Sequence, residues 1–516
     1  MFDKWLNLPA HLYLRITALT ILIVGVALSN VLMSIGTIWI ISNWIIEGKF
    51  GTYWQRFKAN KLSWIVVFIF FALALSLCWS SDLAYGFKDL RIKLPFIVIP
   101  LVLATSDEIS PKHFQFLLYV FLGIVGFTTV YNVIHFNYYL ENNSDIRNMS
   151  VFINHGRLAI LINLAFFTCL AFIHRKMPYR IIWVVLTGWF LFYIFKAQTI
   201  NAYLLFIILA VFSIIYFIHQ IRHNGRRMVA YLLFFGSILA AGIVSLKLIK
   251  SINTTEKIDL AELELYTPNN NPYHHDTTIK EMENGHYVWL YVNQQEMKKE
   301  WELKSEIPYD SLDRIGQPMY GTLMRYLTSL GFRKDSMGVT QLTPTDIEKI
   351  EDGHTSAHNN KGLASRISTF LIEYNLYKQG GNPNGNSFFQ RIEHLKAAQY
   401  IIAHKYLLGV GIGDVPGAFT DAYQKTNSKL NKEIQYRSHN QYLTIWVSLG
   451  IFGLIAFVLM LFLPFFHKNL DYFFYIVMIS LVVSCLFEDS IETQAGVTIF
   501  ALFYSLANFR GVKKIS

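Results

Sequence analysis

A run of apolar residues begins at Tyr442 and continues to Phe457 and beyond, and it is long enough to cross a lipid bilayer, which takes about 20 residues. A long, mostly polar stretch precedes it, so the chain passes from water into lipid at this point. His439 lies at that boundary, with Arg437 two positions before it and Asn440 directly after it. An imidazole that titrates near neutrality and a permanently charged guanidinium therefore lie just outside the lipid, where they either carry chemistry or anchor the span to headgroups.

Apolar runs of similar length recur along the whole chain. The run from Arg15 to Ile46 is longer than one span needs, and Ser29-Asn30 in its middle predicts a turn between two spans. The further predicted spans are 62–79, 90–106, 114–138, 156–173, 180–196, 199–218, 228–249, 441–466, 470–487 and 494–510. The chain is therefore predicted to be an all-α polytopic membrane protein with about twelve transmembrane helices. Its predicted parts are residues 1–249 with nine spans, a large loop domain at 250–438, and residues 439–516 with three spans.

Composition agrees with this class and excludes others. Apolar residues make up 53% of the 516 residues and aromatic residues 16%, which is too much for a soluble protein of this size. The net charge of +10 does not predict nucleic-acid binding, because the basic residues form no cluster and lie in short loops between apolar runs. Cys78, Cys169 and Cys485 all lie in apolar segments, so neither a disulfide nor a cysteine metal site is expected.

The charge of the connections predicts the orientation in the membrane. Under this count the most basic connections fall on one face, which the positive-inside rule assigns to the cytoplasm; they are 49–61, 174–180, 219–227 and 510–514. An even number of spans places both termini on that face. The opposite connections, including EDSIE at 488–492, are poorer in Lys and Arg, so the loop at 250–438 is expected outside the cytoplasm.

The long loop carries the signals of a folded domain. HYVWLYV at 286–292 alternates as a strand does, and Thr343-Pro344-Thr345-Asp346 is typical of a helix start. Further amphipathic runs predict a compact, mostly helical cap. No spacing of His, Cys or carboxylates in the loop matches a common metal site, so no metal and no cofactor is expected.

The last part of the loop is the most informative. GGNPNG at 380–385 predicts turns, and the residues after it predict an amphipathic helix from Ser387 to His404 with Arg391 near its start. A glycine-rich turn follows, but it lacks the spacing and the βαβ context of a dinucleotide site. Its glycines are expected to let the backbone pass close to another element or to a ligand phosphate; they are Gly409, Gly411 and Gly413.

With these segments in order, the chain resembles the O-antigen ligase family, membrane glycosyltransferases related to O-antigen polymerases, in its Bacteroidetes-type form. The resemblance rests on the large loop between late spans, on Arg391 followed by HLKAAQYIIAHKYLLGVGIGD, and on SHNQYLTIWVSLGIFGLI at the entry to the next span. The segments 76–104, 154–165 and 486–503 are also similar to family segments. Each string alone is weak, and their order and spacing together are fairly specific.

The resemblance implies a reaction and the residues for it. Such ligases move a glycan from undecaprenyl diphosphate to the lipid A core at the periplasmic face of the inner membrane, without a metal or a nucleotide sugar. His439 is implied as the base or hydroxyl-orienting group, and Arg391 as the clamp for the leaving diphosphate, since guanidinium binds phosphate oxygens bidentately. The backbone and side-chain amides near them are further substrate-binding candidates, namely Gly411, Gly413 and Asn440.

One departure from the family concerns a second positive contact. Many members carry a Ser-Arg pair at the start of a span before the large loop, where this chain has FKAQTINAY at 195–203. The second contact then comes from Lys196, Arg157, Arg91 or Arg437. Each basic residue also has a structural alternative: Arg391 an ion pair with Glu393 or a loop carboxylate, Arg157 a span anchor, and Lys88, Arg91 and Lys93 a snorkelling position at the headgroups.

Other functions stay open at the level of the sequence. An O-antigen polymerase or a protein O-oligosaccharyltransferase shares the same donor chemistry and differs in the acceptor. A transporter or lipid flippase with twelve spans is less favoured, because no internal repeat or paired interrupted span is visible and most ionisable residues lie at span ends. A membrane scaffold whose loop binds a partner fits the composition as well.

Overall fold

The computed structural model describes residues 8–139, 146–252, 263–279, 281–283, 285–314, 316–357, 374, 377–378, 380–381, 383–384, 387–467 and 470–510. Contacts divide the chain into two compact units, one formed by Met1–Ile221 together with Pro383–Ser516 and one by Arg222–Asn382. The residues around the Arg391 helix and His439 therefore belong to the same unit as most of the apolar helices.

The first unit is built from helices. In chain order they are α1 (Leu8–Leu28), α2 (Asn30–Glu47), α3 (Phe50–Ala59), α4 (Lys61–Leu75), α5 (Leu83–Ile92), α6 (Leu94–Thr105), α7 (Pro111–Tyr139), α8 (His155–His174), α9 (Arg180–Ala197), α10 (Ile200–His219), α16 (Ser387–His404), α17 (Val415–Lys425), α18 (Gln441–Phe462), α19 (Tyr472–Phe487) and α20 (Gln494–Asn508). The helix predicted from Ser387 to His404 is confirmed at both ends. Ser29 separates α1 from α2 and accepts a hydrogen bond from the Val31 N–H, which confirms the predicted turn.

Within the described part of the chain, eight helices are long and apolar enough to cross a membrane. They correspond to α1, α2, α4 with the 3₁₀ turn Ser76–Trp79, α7, α8, α9, α10, and α18 with the turn after it. The helix Tyr472–Phe487 is also apolar but shorter. The protein is thus an all-α membrane protein, and the total of about twelve spans stays a prediction.

The segment predicted as one span at 90–106 is two helices that meet at Lys93. α5 ends at Ile92 and α6 begins at Leu94, with Pro95 in its first turn. Proline has no N–H to continue the hydrogen-bond ladder of the preceding helix, so the chain turns there. The prediction of a single continuous span was wrong, because a buried lysine and a proline interrupt it.

A second interruption lies inside α18. Gly450 has φ +69° and ψ −167°, a conformation open almost only to glycine. The chain between α16 and α17 fills the break: Val410 N–H donates to Val447 O at 2.8 Å, and Gly411 N–H donates to Ser448 O at 3.0 Å. Ile451 N–H in turn donates to Tyr406 O at 3.0 Å. We call this exchange between residues 406–411 and 447–451 the backbone junction; it satisfies the polar groups that the broken helix leaves open.

The second unit begins with the helix α11 (Asn224–Ile252) and continues with a small mixed domain. The domain contains β1 (Met282–Glu283), β2 (His286–Tyr287), α12 (Gln294–Trp301), α13 (Met319–Ser329), α14 (Ser336–Thr340) and α15 (Pro344–Glu351). Trp301, Leu323 and Tyr326 are fully buried in its core. Thr343 caps α15 through a reciprocal bond with Asp346, as the sequence predicted.

The strand predicted over 286–292 is shorter than expected. Only His286 and Tyr287 pair, antiparallel to Met282–Glu283. Tyr291 has a φ of +57°, which breaks the extended alternation, and Val292 forms isolated bridges instead. The predicted strand was therefore wrong beyond its first two residues.

Candidate active site

Several helix ends meet at one end of the first unit. α8 and α10 begin there, α18 begins there, and the turn 488–493 connects α19 to α20. Asn201 in the first turn of α10 donates from Nδ2 to Glu488 Oε1 at 2.8 Å, and Asn440 before α18 donates to Leu486 O at 3.2 Å. Polar side chains thus converge where candidate spans end, at the height expected for a membrane surface.

His439 lies in this group of helix ends with a free imidazole. Its backbone takes a left-handed conformation, φ +49°, and its N–H donates to Asp489 Oδ2 at 3.2 Å. Its side chain makes no hydrogen bond to the described residues and is partly buried. Burial, followed by the nearby Arg391 guanidinium, lowers the pKa of His439 from 6.5 to about 4. At neutral pH the ring is therefore uncharged and able to accept a proton.

Arg391 reaches the same place from α16. One guanidinium nitrogen, Nη1, lies 3.4 Å from Asn201 Oδ1, and Nη2 lies 3.9 Å from Glu488 Oε1. The side chain is 36% exposed, and both contacts are long for charge-assisted hydrogen bonds. Glu393, one ion-pair alternative for Arg391, pairs with Lys396 at 2.8 Å and accepts from Ser428 at 2.6 Å, while Glu488 on the turn after α19 is the carboxylate found near Arg391. Arg391 is thus held loosely enough to bind an anionic ligand.

The acidic turn 488–492 holds the loop that carries His439. Asp489 accepts from Thr444 Oγ1 at 2.6 Å as well as from the His439 N–H, and burial raises its pKa. Gln441 donates to Glu492 at 2.9 Å and accepts from the Ile491 N–H at 2.8 Å. Burial also raises the pKa of Glu488, against the opposite effect of Arg391 and Arg157. These carboxylates are therefore part of the scaffold of the site and do more than cap a solvated helix end.

Arg437 and Lys93 are engaged in a buried ion network. Glu492 contacts the Arg437 guanidinium and lies 2.8 Å from Lys93 Nζ, which is also 2.6 Å from Asp89. Lys93 is 2% exposed, so the interpretation of this lysine as snorkelling to headgroups was wrong. Arg437 in addition donates to the Tyr85 hydroxyl. Because its charge is already neutralised by Glu492, Arg437 is poorly suited as a diphosphate contact.

The other candidates for a second cation differ in their surroundings. Arg157, in the first turn of α8, is half-buried. Its guanidinium makes no hydrogen bond or ion pair with the described residues and interacts electrostatically with Glu488 and Asp489. Lys196 lies over the Phe136 ring, with Nζ 5.9 Å from its centroid. Arg91 is exposed on α5. Only Arg157 of these three shares Glu488 with Arg391.

Three further candidates have structural partners. Asn440 caps α18, because its Oδ1 accepts the Leu443 N–H at 3.1 Å. Gly411 and Gly413 pack against residues 76–82: a Cβ on Gly411 would lie 2.3 Å from Ser80 Oγ, and one on Gly413 would lie 2.3 Å from Asp82 O. The glycines therefore let the backbone approach another element, the first of the two roles expected for them.

Comparison with known proteins adds one match to this geometry. Residues 350–458 match the family described as O-Antigen ligase. That stretch is similar to a domain of the O-antigen ligase family. The match contains both Arg391 and His439, and no curated protein is significantly similar to the chain. Members of the O-antigen ligase family are membrane glycosyltransferase-like enzymes, and the family implies lipid-linked glycan substrates in a lipid environment.

Two residues of the candidate site were missed by sequence reasoning. Asn201 lies within the segment 195–203, where many O-antigen ligases carry Ser-Arg, and it contacts both Arg391 and Glu488. His394 lies three positions after Arg391, a spacing that places both on one face of α16, with its ring centroid 5.1 Å from that of His439. That spacing was the available signal for His394. Asn201 gave none, because an asparagine at a helix start is most often a cap.

Proposed function

We propose that this protein is a ligase that transfers a glycan from undecaprenyl diphosphate to an acceptor such as the lipid A core, at the periplasmic face of the bacterial inner membrane. The observation that carries the proposal is the meeting of Arg391 and His439. They lie 48 positions apart in a region matched to the O-antigen ligase family, yet Arg391 lies 3.9 Å from Glu488 and the His439 N–H donates to Asp489, the next residue of the same turn.

The chemistry requires a base and a positive clamp. The acceptor hydroxyl loses its proton to a ring nitrogen of His439 while its oxygen bonds to the anomeric carbon of the donor sugar. The bond between that carbon and the diphosphate oxygen breaks, and the electron pair leaves with the diphosphate. His439 is suited to the first task because it is neutral at pH 7 and its ring has no hydrogen bond to the described residues.

Arg391 and Arg157 form the proposed clamp. The electron pair that leaves with the diphosphate adds negative charge at the moment of bond cleavage, and guanidinium groups stabilise such charge through paired N–H donors. Arg391 makes only long contacts, and Arg157 makes none with the described residues, so neither charge is fully used within the protein. Glu488 lies near both and keeps them together before the donor binds.

The position of these groups fits a lipid-borne donor. His439 lies two residues before the start of α18, Arg157 in the first turn of α8, and Glu488 directly after α19. A diphosphate at headgroup height would meet them while its polyprenyl chain stays in the bilayer. We place this face in the periplasm and both termini in the cytoplasm, on the basis of the basic connections. The test is a reporter that is active only in the cytoplasm, fused after Asn360. Activity of this fusion would contradict that orientation.

The acceptor distinguishes this ligase from other enzymes that use the same lipid-diphosphate donor. An O-antigen polymerase would use a second lipid-linked glycan, and a protein O-oligosaccharyltransferase would use a Ser or Thr hydroxyl. Purified protein in nanodiscs is offered a lipid-diphosphate glycan with each acceptor in turn, and the product is identified by mass. Transfer to the lipid A core alone supports the ligase, and transfer to either of the others reassigns the acceptor.

The roles of the two residues are separated by single variants. His439→Ala should abolish most transfer, about 10²-fold or more, and leave donor affinity largely unchanged, since a base acts only in the reaction. Arg391→Ala should weaken both, and Arg391→Lys should restore only part of the affinity, because an ammonium lacks the paired donors. His404→Ala, an exposed histidine at the end of the same helix α16, is the matched control. Near-parental transfer by His439→Ala would make the imidazole a mere anchor.

A further inference from the structure

His394 is a buried histidine to which the reaction above gives no task. It lies on α16, is 2% exposed, and its Nε2 is 3.0 Å from the Ile434 carbonyl oxygen. A carbonyl oxygen only accepts hydrogen bonds, so Nε2 carries the proton and Nδ1 of the neutral ring is an acceptor. Nδ1 is buried and has no hydrogen-bond partner among the residues described. A buried polar atom of this kind is uncommon and calls for an explanation.

The rings around His394 indicate which group can donate a hydrogen bond to its Nδ1. Those of Tyr423, Tyr436 and His439 surround it, with centroids at 6.2, 6.2 and 5.1 Å. The Tyr423 hydroxyl already donates to the Tyr436 carbonyl oxygen. His439 is the nearest ring and its side chain has no described hydrogen bond. At this centroid spacing, two ring nitrogens turned toward each other would be about 3 Å apart, the length of a hydrogen bond.

We propose that His394 is a positioning residue for His439. Its Nδ1 accepts a hydrogen bond from one ring N–H of His439, which fixes the tautomer and leaves the other ring nitrogen unprotonated toward the acceptor hydroxyl. The inference rests on the proposed function of His439 as the base, and it adds the residue that orients that base. His439 needs such a partner, because its backbone contact to Asp489 holds the main chain and does not set the ring.

The proton balance of the step follows from this arrangement. The acceptor O–H gives its proton to the free nitrogen of His439, the new C–O bond forms, and the electron pair of the broken bond leaves on the diphosphate. His439 is then an imidazolium, and its hydrogen bond to the neutral His394 becomes charge-assisted. The proton next passes to water.

The charged groups around His394 agree with an orienting role. Arg391 on its own helix and His439 on the facing loop oppose protonation of His394, while Asp489 on the turn between α19 and α20 favours it. The aromatic rings of Tyr423 on α17 and Tyr436 before His439 complete the surroundings. A neutral acceptor in this place orients His439 without holding its proton as firmly as a carboxylate would.

A purely structural role for His394 is tested by two substitutions. His394→Phe keeps an aromatic ring between Tyr423 and Tyr436 but removes both the donor to Ile434 and the acceptor. His394→Gln keeps one donor and one acceptor on a side chain of similar reach. His404→Phe, at the exposed end of α16, is the matched control and should transfer glycan at the parental rate.

Each variant is purified in nanodiscs and measured for thermal unfolding, donor affinity, and the pH dependence of kcat/KM. We expect His394→Phe to lower kcat by about 10-fold to 100-fold, a part of what general base catalysis contributes, with unchanged donor affinity. The apparent pKa of the base should fall, because the imidazolium loses its hydrogen-bond acceptor. His394→Gln should restore most of the rate and the parental pH profile.

The opposite results overturn the proposal. A His394→Phe variant that unfolds at the parental temperature and keeps the parental rate shows that Nδ1 orients nothing. A rate loss with an unchanged pH profile assigns His394 to packing. If His394→Phe does not fold, ¹⁵N chemical shifts of the parental histidines decide, since a proton on Nδ1 of His394 contradicts the assignment. If His439→Ala transfers glycan at the parental rate, His439 is not the base and the proposed function of this residue is wrong. If His439→Ala loses transfer and His394→Phe does not, the proposed function stands and only the role of His394 is withdrawn.

Discussion

The ammonium of Lys93 lies 2.8 Å from a carboxylate oxygen of Glu492, 399 positions further along the chain. The same nitrogen lies 2.6 Å from Asp89, and Glu492 also accepts from Gln441, the first residue of α18. The ion pair therefore joins the corner between α5 and α6 to the turn that supports the His439 loop.

Replacing the buried lysine should be strongly destabilising. Lys93→Met leaves Asp89 and Glu492 beside each other with less compensating charge, and removing one partner of a buried ion pair typically costs about 3–5 kcal/mol. Thermal unfolding in nanodiscs measures the loss, with the exposed Lys88→Met as the control. An equal melting temperature for the two variants would show that the network does not hold this corner.

Glycine at position 450 should be required for the backbone junction. In Gly450→Ala the new Cβ would lie 2.0 Å from the Leu407 carbonyl oxygen, in a backbone conformation that alanine rarely adopts. We expect a loss of more than about 2 kcal/mol in unfolding free energy and of most transfer activity. Gly417→Ala, whose Cβ meets no atom within 4 Å, should be neutral. Parental stability of Gly450→Ala would mean that the break in α18 is dispensable.

Substitutions of the three remaining candidates for the second cation should differ in their effect on donor affinity. Arg157→Ala should weaken binding of a lipid diphosphate about tenfold or more, because hydrogen bonds to charged groups contribute about 1.5–3 kcal/mol. Lys196→Ala and Arg91→Ala should change it little, since Lys196 lies over the Phe136 ring and Arg91 is exposed on α5. Affinity is measured with a labelled donor in nanodiscs. A larger loss in Lys196→Ala than in Arg157→Ala would move the clamp to α9.

The pH dependence of transfer should report the neutral state of His439. Its pKa in the folded protein is about 4, below the usual 6.5, so the base is unprotonated at pH 6.5 and above. The value of kcat/KM should stay level from pH 7 down through 6.5 and fall only as pH approaches about 4. Glu488→Gln should keep this acid limb, which excludes that carboxyl as its source. A fall centred near pH 6.5 would contradict the burial of the ring.

Transfer should not depend on a divalent cation. The proposed clamp uses the guanidinium groups of Arg391 and Arg157 for the charge that a metal ion supplies in other transferases. Transfer in nanodiscs is measured with and without EDTA. Samples of donor and acceptor without the protein serve as controls that EDTA does not aggregate either substrate. Loss of transfer in EDTA that Mg²⁺ or Mn²⁺ restores would contradict the arginine clamp.

Local features of this fold were predictable from the sequence, and distant pairings were not. The ends of α16, the cap at Thr343 and the turn at Ser29 follow from periodicity and capping residues a few positions apart. Lys93 was misjudged because its partner Glu492 lies near the other end of the chain. A lysine at the end of an apolar run has the same sequence pattern whether it is buried or points to headgroups.

In the candidate site, too, local features were predictable and distant pairings were not. Arg391 and His439 were predicted from the resemblance to a family, and the structure brings them together. Arg437 was a candidate for binding the diphosphate because it lies two residues before His439. Its ion pair with Glu492 could not be predicted from the neighbouring sequence. The glycines of the turn were predicted to allow close approach, and only the structure shows the elements approached: α18 at Gly409, and residues 76–82 at Gly411 and Gly413.

The backbone junction also orders events during synthesis of the chain. The ribosome makes residues 406–411 before residues 447–451, so the N–H groups of Val410 and Gly411 have no partners until α18 has left the translocon. Unpaired amides are poorly tolerated in lipid, which keeps the nascent turn in water until then. The junction can therefore form only after residues 447–451 have been made, and a chain truncated before Val447 would leave the N–H groups of Val410 and Gly411 without these partners.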